Sequence, residues 1–315
     1  MSITILKAGL QTTLQGAPFS AHRHLGMPAA GAADCLSLAL ANFLVGRPSG
    51  AIAFEITLSG ALFRFKGPCS IALVGAAEYL RINDQQQPRH QTLTVKAGDM
   101  VDIGPNRLGC RTYLAISAAL QADSLLDGQS TYLPAGLGGF HGRALRDGDS
   151  VPFVPDSPVT ALQRTTPESL RPHFSNDYML RITPGPEAAE RNECALDALC
   201  LAPYAVGVRA NRMGLALEGE PLSASDSSNM PSAPVFPGTI QLPPSGNPYL
   251  LGPDAQTTGG YPRIAQVIRA DRHLIGQLRA GSRIQFVQIT TDRATEIYRE
   301  KLSLLTSWLG QITMW

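Results

Sequence analysis

The sequence has almost no net charge, and this absence excludes several classes of partner. Its 315 residues include 26 lysines and arginines against 25 aspartates and glutamates, a formal charge of +1 at pH 7. Proteins that bind nucleic acid or anionic membranes usually carry a basic excess that attracts phosphate groups. We therefore expect neither a nucleic-acid partner nor a membrane, and a small molecule as the substrate.

Long apolar segments are also missing. No stretch approaches the roughly 18 apolar residues of a transmembrane helix, and the first residues lack the basic region and apolar run of a secretory signal. The cysteines form no Cys-x-x-Cys pair, and their odd number cannot pair completely within one chain. We expect reduced thiols and a cytoplasmic location, with Cys69 and Cys110 acting as small apolar side chains. The five cysteines are Cys35, Cys69, Cys110, Cys194 and Cys200.

Metal ligands at a recognisable spacing are absent too. Two histidines lie close together in His22-Arg23-His24, but no further ligand follows at the spacing of a metal site. We interpret this triplet as a solvated turn and expect no metal.

Glycine and proline are abundant. The 30 glycines and 24 prolines make up about 17% of the chain, against about 12% in an average protein. This composition favours many short strands joined by turns over a helical bundle, so we predict a mainly β fold. The predicted strands span residues 3–6, 53–58, 61–65, 70–74, 92–95, 112–116, 178–182, 205–208, 215–217, 238–241, 265–268 and 283–289.

Two helices and a boundary complete the outline. Asp34 is a candidate N-cap for a helix over residues 35–45, and the apolar spacing in 291–309 predicts a helix that packs on its lobe or on a partner. Five prolines interrupt residues 152–172, which places a lobe boundary there. The predicted organisation is an N-terminal β-rich lobe over 1–155, a C-terminal β-barrel lobe over 173–290 and a C-terminal helix over 291–315.

The segment from Leu251 to Pro262 has the composition of a binding loop. It combines an acid, an amide, two hydroxyls, a phenol and two adjacent glycines in LGPDAQTTGGYP. The glycines allow close approach of the backbone, and the polar side chains supply both donors and acceptors. A polar hairpin turn needs only one or two such residues, so we interpret the run as a binding loop.

Several motifs resemble one known family. The second half contains TPGPE at 183–187, NRMG at 211–214, GTIQLPPSGNP at 238–248 and PDAQTTGGYPRIA at 253–265, and the first half contains GLQTTLQ, GMPAAGAAD, ANFLVG and FEITLSG. With these motifs the chain is similar to the carboxyltransferase-type C subunit of prokaryotic 5-oxoprolinase. That family is also called KipA-like or allophanate hydrolase subunit 2, and it is related to the carboxyltransferase region of urea carboxylase. The resemblance covers essentially the whole chain.

The resemblance implies paired cyclophilin-like β-barrel lobes and a place in a complex that opens 5-oxoproline to glutamate with the use of ATP. The implied partners are a KipI-like B subunit together with a lactam-utilisation A subunit. This chain lacks a Walker phosphate loop and a Met-Lys-Met type biotin attachment site. Other polypeptides are therefore expected to handle ATP, or carboxybiotin by analogy with urea carboxylase, and the single chain is expected to be inactive.

Two other functions stay open at this point. A KipA-like protein is also described as a regulator that binds and antagonises a KipI-like kinase inhibitor. The relation to urea carboxylase implies a biotin-dependent urea or allophanate-type carboxyltransferase.

The chain departs from the family pattern after GLQTTLQ. The family has a turn with an acid, a glycine and an arginine there, and this chain has Gly16-Ala17-Pro18-Phe19-Ser20. Either the N-terminal lobe contributes less to the site, or His22, Arg23 and His24 replace the missing groups.

The chemistry of lactam opening suggests donors within the loop. A lactam carbonyl must be activated and its developing oxyanion stabilised. The candidate donors are the hydroxyls of Thr257 and Thr258 and the backbone amides of Gly259 and Gly260.

Asp254 is the candidate general base, or the group that orients a nitrogen. Tyr261 joins it as a catalytic candidate, and Gln256 is a candidate for substrate binding. As residues of a surface loop, Asp254 and Thr257 are expected to be replaceable with little loss of stability.

Further binding candidates lie outside the loop. Arg212 has a planar fork suited to a substrate carboxylate or phosphate, with a surface ion pair as the alternative. Gln241 and Asn211 are candidates to bind an amide, and Asn211 has a turn role as its alternative. Glu55 is a weaker binding candidate, which either faces solvent or pairs with an arginine such as Arg111.

Overall fold

The structure, a computed structural model, describes residues 1–19, 21–154, 163–188, 193–223, 230–310 and 312. The chain divides into two units. The first consists of Met1–Phe19, Asp34–Phe174 and Leu309–Trp315, and the second of Ser20–Ala33 and Ser175–Trp308. The sequence predicted that residues 20–33 belong to the N-terminal lobe, whereas the structure groups them with the second unit. Pro155 and Pro158 of the predicted boundary lie outside the described residues.

Strands predominate in both units, which confirms the mainly β prediction. The first unit contains β1 (Ser2–Lys7), β2 (Gln11–Gln15), β3 (Ala53–Thr57), β4 (Ala61–Phe65), β5 (Cys69–Gly75), β6 (Leu80–Ile82), β7 (Gln85–Gln87), β8 (Leu93–Val95), β9 (Met100–Ile103), β10 (Arg111–Ile116), β11 (Ala119–Leu120) and β12 (Ser150–Val154). The second contains β13 (Asp177–Pro184), β14 (Tyr204–Ala210), β15 (Gly214–Glu218), β16 (Ala233–Pro234), β17 (Thr239–Gln241), β18 (Tyr249–Leu251), β19 (Thr258–Gly259), β20 (Arg263–Val267) and β21 (Arg283–Gln288). Each predicted strand is present, with ends that differ by at most two residues.

The described helices are fewer. They are α1 (Cys35–Leu44), α2 (Glu193–Leu201), α3 (Arg272–Ile275) and α4 (Thr291–Leu309), with short 3₁₀ turns at Arg23–Leu25, Leu133–Ala135 and Glu168–Leu170. The two predicted helices are confirmed as α1 and α4, whereas α2 and α3 were not predicted. None of the described helices has the length and apolar character needed to cross a membrane.

The first unit is built from two antiparallel sheets. The larger has the order β11-β12-β1-β4-β9-β6-β7 and the smaller β2-β3-β10-β5-β8. Strand β1 buries Ile3 and Ile5 completely while its intervening residues are partly exposed, the alternation of a sheet with one covered face. Strands β5 and β10 are buried throughout because α1 packs against both of them.

The family resemblance implied a β-barrel in each lobe, and the two units differ in how their strands are arranged. The second unit forms a closed barrel in the order β13-β20-β17-β18-β15-β14-β21, whereas the strands of the first unit form the two sheets above. The barrel closes through a parallel pairing of β13 with β21, whose residues Leu180 and Phe286 are fully buried partners. Closure removes the unpaired edges that a sheet otherwise exposes.

Cys69 was predicted to act as a small apolar side chain, and its burial makes the thiol unreactive. Cys69 lies buried in β5, and its burial raises the pKa of the thiol to about 12. The thiol therefore stays protonated at neutral pH, and the side chain acts as a small apolar group.

A buried polar network ties α1 to the smaller sheet. The side chain of Asp34 caps α1 by accepting hydrogen bonds from Ser37 N (2.9 Å) and Ser37 Oγ (2.6 Å), as predicted. The backbone N–H of Asp34 donates to the Tyr113 hydroxyl (2.8 Å), which in turn donates to Glu55 Oε2 (2.7 Å). The other Glu55 oxygen accepts from Arg111 Nε at 3.2 Å. The predicted pairing of Glu55 with Arg111 is therefore confirmed, and the carboxylate lies buried in the core.

We expect Tyr113→Phe to destabilise the first unit by about 2 kcal/mol or more, because it removes one hydrogen bond from a buried carboxylate oxygen and one from a buried N–H. Urea unfolding followed by circular dichroism measures the change. Tyr261→Phe is the matched control, because that phenol is half exposed in the second unit. Equal effects of the two substitutions would contradict a structural role for the Tyr113 hydroxyl.

Candidate functional site

A buried ion pair lies at the start of the loop that the sequence singled out. Arg212 and Asp254 are 4% and 1% exposed. Arg212 Nε donates to Asp254 Oδ2 at 2.8 Å, and its Nη2 donates to Oδ1 at 2.7 Å. This is the two-bond fork that arginine forms with a carboxylate. Arg212 thus directs its Nε and Nη2 donors to Asp254, and the ion pair that was the alternative to a substrate role is present, buried rather than at the surface.

The backbone around this pair is held equally closely. Asp254 N donates to Arg212 O at 3.0 Å, and Gly252 N donates to Met213 O at 2.9 Å. A Cβ on Gly252 would lie 2.3 Å from Arg212 O, so only glycine fits this approach of two chain segments. The pair is therefore set by main-chain bonds on both of its sides.

The inserted segment 20–33 of the second unit also binds to this pair. Arg212 Nη2 donates to Gly31 O at 2.6 Å, and Ala30 N donates to Pro253 O at 2.9 Å. The segment therefore contributes backbone groups to the same site as the loop, although it lies more than 180 residues away in the sequence.

A second set of contacts holds the far end of the loop. Strand β19 pairs with β16, and Val235 N donates to Thr257 O at 3.0 Å. The buried Gln241 donates through Nε2 to Tyr261 O at 3.2 Å and packs against Gly259, where a Cβ would lie 2.6 Å from that nitrogen. Gln241 therefore binds the loop backbone, rather than standing free to bind an amide.

Between these two anchors the loop turns polar groups outward. Gln256, Thr258 and Tyr261 are exposed, and Thr257 and the two glycines are half-buried. No hydrogen bond within the described residues involves the hydroxyl of Thr257, Thr258 or Tyr261. The structure thus gives the loop a rigid base and a set of available donors.

An ion pair that sequence reasoning did not identify closes the loop on its C-terminal side. Arg263 Nε donates to Glu187 Oε2 at 2.8 Å, its Nη2 donates to Oε1, and its backbone N also donates to Oε2 at 2.9 Å. The hydrogen bonds from Arg263 hold the pKa of Glu187 below its usual value. Both residues fall inside motifs of the family resemblance, but only the pairing of β13 with β20 brings them together.

Arg23 approaches the same region from the inserted segment. Its Nη2 donates to Val235 O and its guanidinium lies 4.9 Å from the centre of the Phe236 ring. Its Nη1 is buried and has no hydrogen-bond partner in the described part of the chain. Arg23 therefore belongs to the unit that carries the loop.

Two other candidates occupy structural positions. Asn211 accepts through Oδ1 from Met213 N (2.8 Å) and Gly214 N (3.3 Å), so its side chain forms the turn before β15, as its alternative interpretation stated. Glu55 belongs to the first unit and has both carboxylate oxygens engaged there. Apart from Glu55, the ten site residues predicted from the sequence all belong to the second unit.

Comparison with known proteins identifies the family. The family model described as carboxyltransferase domain, subdomain A and B, matches residues 25–288. This chain belongs to the carboxyltransferase domain family. The matched region includes both ion pairs and the whole loop.

Two bacterial relatives of this chain have a similar length. The 5-oxoprolinase C subunit of Escherichia coli (strain K12) is 34% identical over 299 residues, 95% of each chain. The 5-oxoprolinase C subunit of Haemophilus influenzae is 30% identical over 95% of this chain and 94% of its own. The resemblance seen in the motifs is therefore confirmed.

Solved structures support the fold. The crystal structure of Kluyveromyces lactis urea carboxylase matches 97% of this carboxyltransferase-family chain with a TM-score of 0.90 and 27% identity. The K. lactis urea amidolyase structure matches all of it with a TM-score of 0.91 and 27% identity. The chain spans 29% and 20% of the length of these two larger proteins.

We expect Asp254→Asn to destabilise the second unit by about 3 kcal/mol, because the substitution removes the negative charge that accepts two hydrogen bonds from the buried guanidinium. This corrects the expectation of a small effect, which assumed a surface position. Asp177→Asn is the matched control: the side chains of its pair with Arg283 are 61% and 65% exposed, so solvent screens the pair and its loss is expected to have little effect on stability. Urea unfolding of the two variants compares them, and a loss no larger for Asp254→Asn would show that the buried pair does not hold the loop.

Proposed function

We propose that this protein is the carboxyltransferase-type C subunit of a 5-oxoprolinase complex, which opens 5-oxoproline to glutamate with the use of ATP. The observation that carries this proposal is the 34% identity to the E. coli 5-oxoprolinase C subunit over 95% of both chains. A relative of the same length at this identity supports the same role within such a complex. Its substrate is a small molecule, in accordance with the near-zero net charge.

The loop between Asp254 and Tyr261 supports an enzymatic role over a purely regulatory one. Its outward groups are small and polar, whereas protein interfaces are anchored by aromatic and apolar side chains. We assign the hydroxyls of Thr257 and Thr258 and the backbone amide of Gly260 to the lactam carbonyl, whose oxygen gains negative charge as the ring opens. Gly259 belongs to β19, whose backbone pairs with β16.

The neighbouring residues have positioning roles in this proposal. Asp254 and Arg212 fix the first residue of the loop, and Gln241 fixes its last turn through Tyr261 O. Tyr261 and Gln256, both exposed at the loop, are assigned to contacts with the substrate. Arg23 is assigned to the substrate carboxylate, because its Nη1 has no hydrogen-bond partner in the described region.

Other polypeptides complete the reaction in this proposal. The loop offers donors but no phosphate loop, so we assign the handling of ATP to a KipI-like B subunit together with a lactam-utilisation A subunit in the cytoplasm. The chain alone is then inactive.

A second function is supported by the fungal structures. The match to K. lactis urea carboxylase, with a TM-score of 0.90, favours a carboxyltransferase that takes a carboxyl group from carboxybiotin on another polypeptide. The same loop donors would then act on the carbonyl of urea. The two functions differ in substrate and in the need for biotin, which makes them separable by experiment.

Reconstitution tests the proposal. The purified chain is expected to hydrolyse neither ATP nor 5-oxoproline, and a mixture with its KipI-like and lactam-utilisation partners is expected to release glutamate and ADP and to elute as one complex in size-exclusion chromatography. Turnover that requires urea and a biotinylated carrier would favour the second function. A stable complex with the KipI-like protein that shows no turnover of either substrate would favour the regulatory alternative and exclude the enzyme.

We expect Thr257→Val to lower the turnover of the assembled complex by about a hundredfold, because one donor to the developing oxyanion is lost. The free energy of unfolding of this variant is expected to differ from that of the unaltered chain by less than about 0.5 kcal/mol, since no described residue bonds to the Thr257 hydroxyl. Thr295→Val, on the exposed face of α4, is the matched control and is expected to keep full activity. Full activity of both variants would remove Thr257 from the site.

A further inference from the structure

A cavity with a positive lining lies within the first unit, apart from the loop. Its volume is about 440 Å³, and its charged lining residues are Arg89, Arg107, Arg171 and Glu78, with His90 and His173 beside them. These give a net charge of +2 with the histidines neutral, more than the +1 of the entire chain. The lining of this cavity is therefore more positive than the chain as a whole.

The walls of this cavity are fixed by main-chain hydrogen bonds. His90 N donates to Leu73 O at 3.0 Å, and Thr166 N donates to His90 O at 2.9 Å. Thr92 N donates to Arg164 O at 2.9 Å. The strand β5 and the segment before Arg171 are thus joined through the residues around His90.

Two of the arginines are oriented but not neutralised. Arg89 donates through Nη1 to Ala77 O, and Arg171 donates through Nε to Thr166 O at 3.1 Å. Each of these bonds uses one N–H and a backbone carbonyl, and no carboxylate of the described residues pairs with either guanidinium. Arg107, by contrast, is paired with Glu78 at 2.7 Å. Arg89 and Arg171 therefore present several further N–H donors, and each guanidinium is held in place by its bond to a backbone carbonyl.

His90 adds a buried group without a partner. It is 8% exposed, and its Nδ1 is buried with no hydrogen-bond partner among the described residues. Burial, together with the charges of Arg171 and Arg89, lowers the pKa of His90 to about 4. Glu78, Arg107 and His173 are the other titratable or charged groups that line the same cavity. The ring is neutral at pH 7 and lies where a bound anion would favour its protonated form.

Part of the lining is apolar. Leu108, Pro172 and Phe174 contribute to the same cavity. A ligand that fills the space therefore needs both an anionic group and a flat or apolar part.

We propose that this cavity binds a phosphate-bearing small molecule, with the phosphate held by Arg89, Arg171 and His90 and the organic part against Leu108 and Phe174. A phosphate brings three acceptor oxygens and up to two charges, which suit two arginine forks and a net charge of +2. A single carboxylate offers two oxygens and one charge, and leaves donors unused. The site is separate from the loop and does not depend on the proposed function.

Calorimetric titration of the full chain with AMP, inorganic phosphate and succinate at low salt tests this site. AMP is expected to bind more tightly than inorganic phosphate, because of the apolar wall, and succinate most weakly. The double variant Arg89→Ala/Arg171→Ala is expected to weaken AMP binding by at least about tenfold. Arg64→Ala, which removes an exposed arginine of β4 outside the cavity lining, is the control for loss of a surface charge and is expected to change AMP affinity by less than about twofold.

The proton NMR titration of His90 in the unaltered chain gives a readout that does not depend on a variant folding. With saturating AMP the midpoint is expected to rise from about 4 toward the ordinary 6.5, because the anion stabilises the protonated ring.

Four results would overturn the proposal. They are the absence of both heat and a shift of the His90 titration with AMP, an equal loss of affinity in Arg64→Ala, succinate binding as tightly as AMP, and AMP binding no more tightly than inorganic phosphate.

Discussion

The buried pair of Arg212 and Asp254 is the interaction on which the geometry of the second unit's loop depends. Two charges removed from water are costly, and their attraction offsets that cost only when the hydrogen bonds are nearly ideal. Here both carboxylate oxygens are bonded at 2.7 and 2.8 Å, and one guanidinium nitrogen also reaches Gly31 O. Because displacement of the loop would break both hydrogen bonds between these buried charges, the pair selects one position for the residues that follow Asp254.

Arginine–carbonyl contacts extend this constraint to the rest of the site. Arg263 donates through Nη1 to Pro234 O at 2.7 Å, and Arg23 donates to the adjacent Val235 O. Backbone carbonyls that would otherwise need water are thereby satisfied by charged donors from distant parts of the chain. The short strand β16 is held on both sides in this way, and β16 in turn pairs with β19 in the loop. A rigid frame made of side chains thus carries a loop whose own polar side chains point outward, the arrangement that a preorganised binding site needs.

The first unit uses the same principle for a different purpose. Glu55, Tyr113 and Asp34 form a chain of buried hydrogen bonds that connects the sheet to the first turn of α1. Burial and the charge of Glu55 raise the pKa of Tyr113 well above its ordinary value, so the phenol stays a donor throughout the physiological range. Glu55 therefore has the characteristics of a structural carboxylate in a satisfied network, which explains why an acid lies in an otherwise apolar strand.

The sequence by itself determined the local structure and the family. Apolar alternation and the spacing of glycine and proline located the predicted strands, and Asp34 marked the start of α1, because these features act over a few residues. The motifs identified the family because each one is a run of consecutive residues that can be read directly from the sequence. Only the tertiary structure decided that Asp254 is buried against Arg212, that Glu187 and Arg263 pair, that Arg23 reaches Val235 and that residues 20–33 belong to the second unit. These contacts join residues 42, 76 and 212 positions apart. The partner of a charged side chain at such separations is set by strand order and barrel closure, which local propensity and periodicity do not encode.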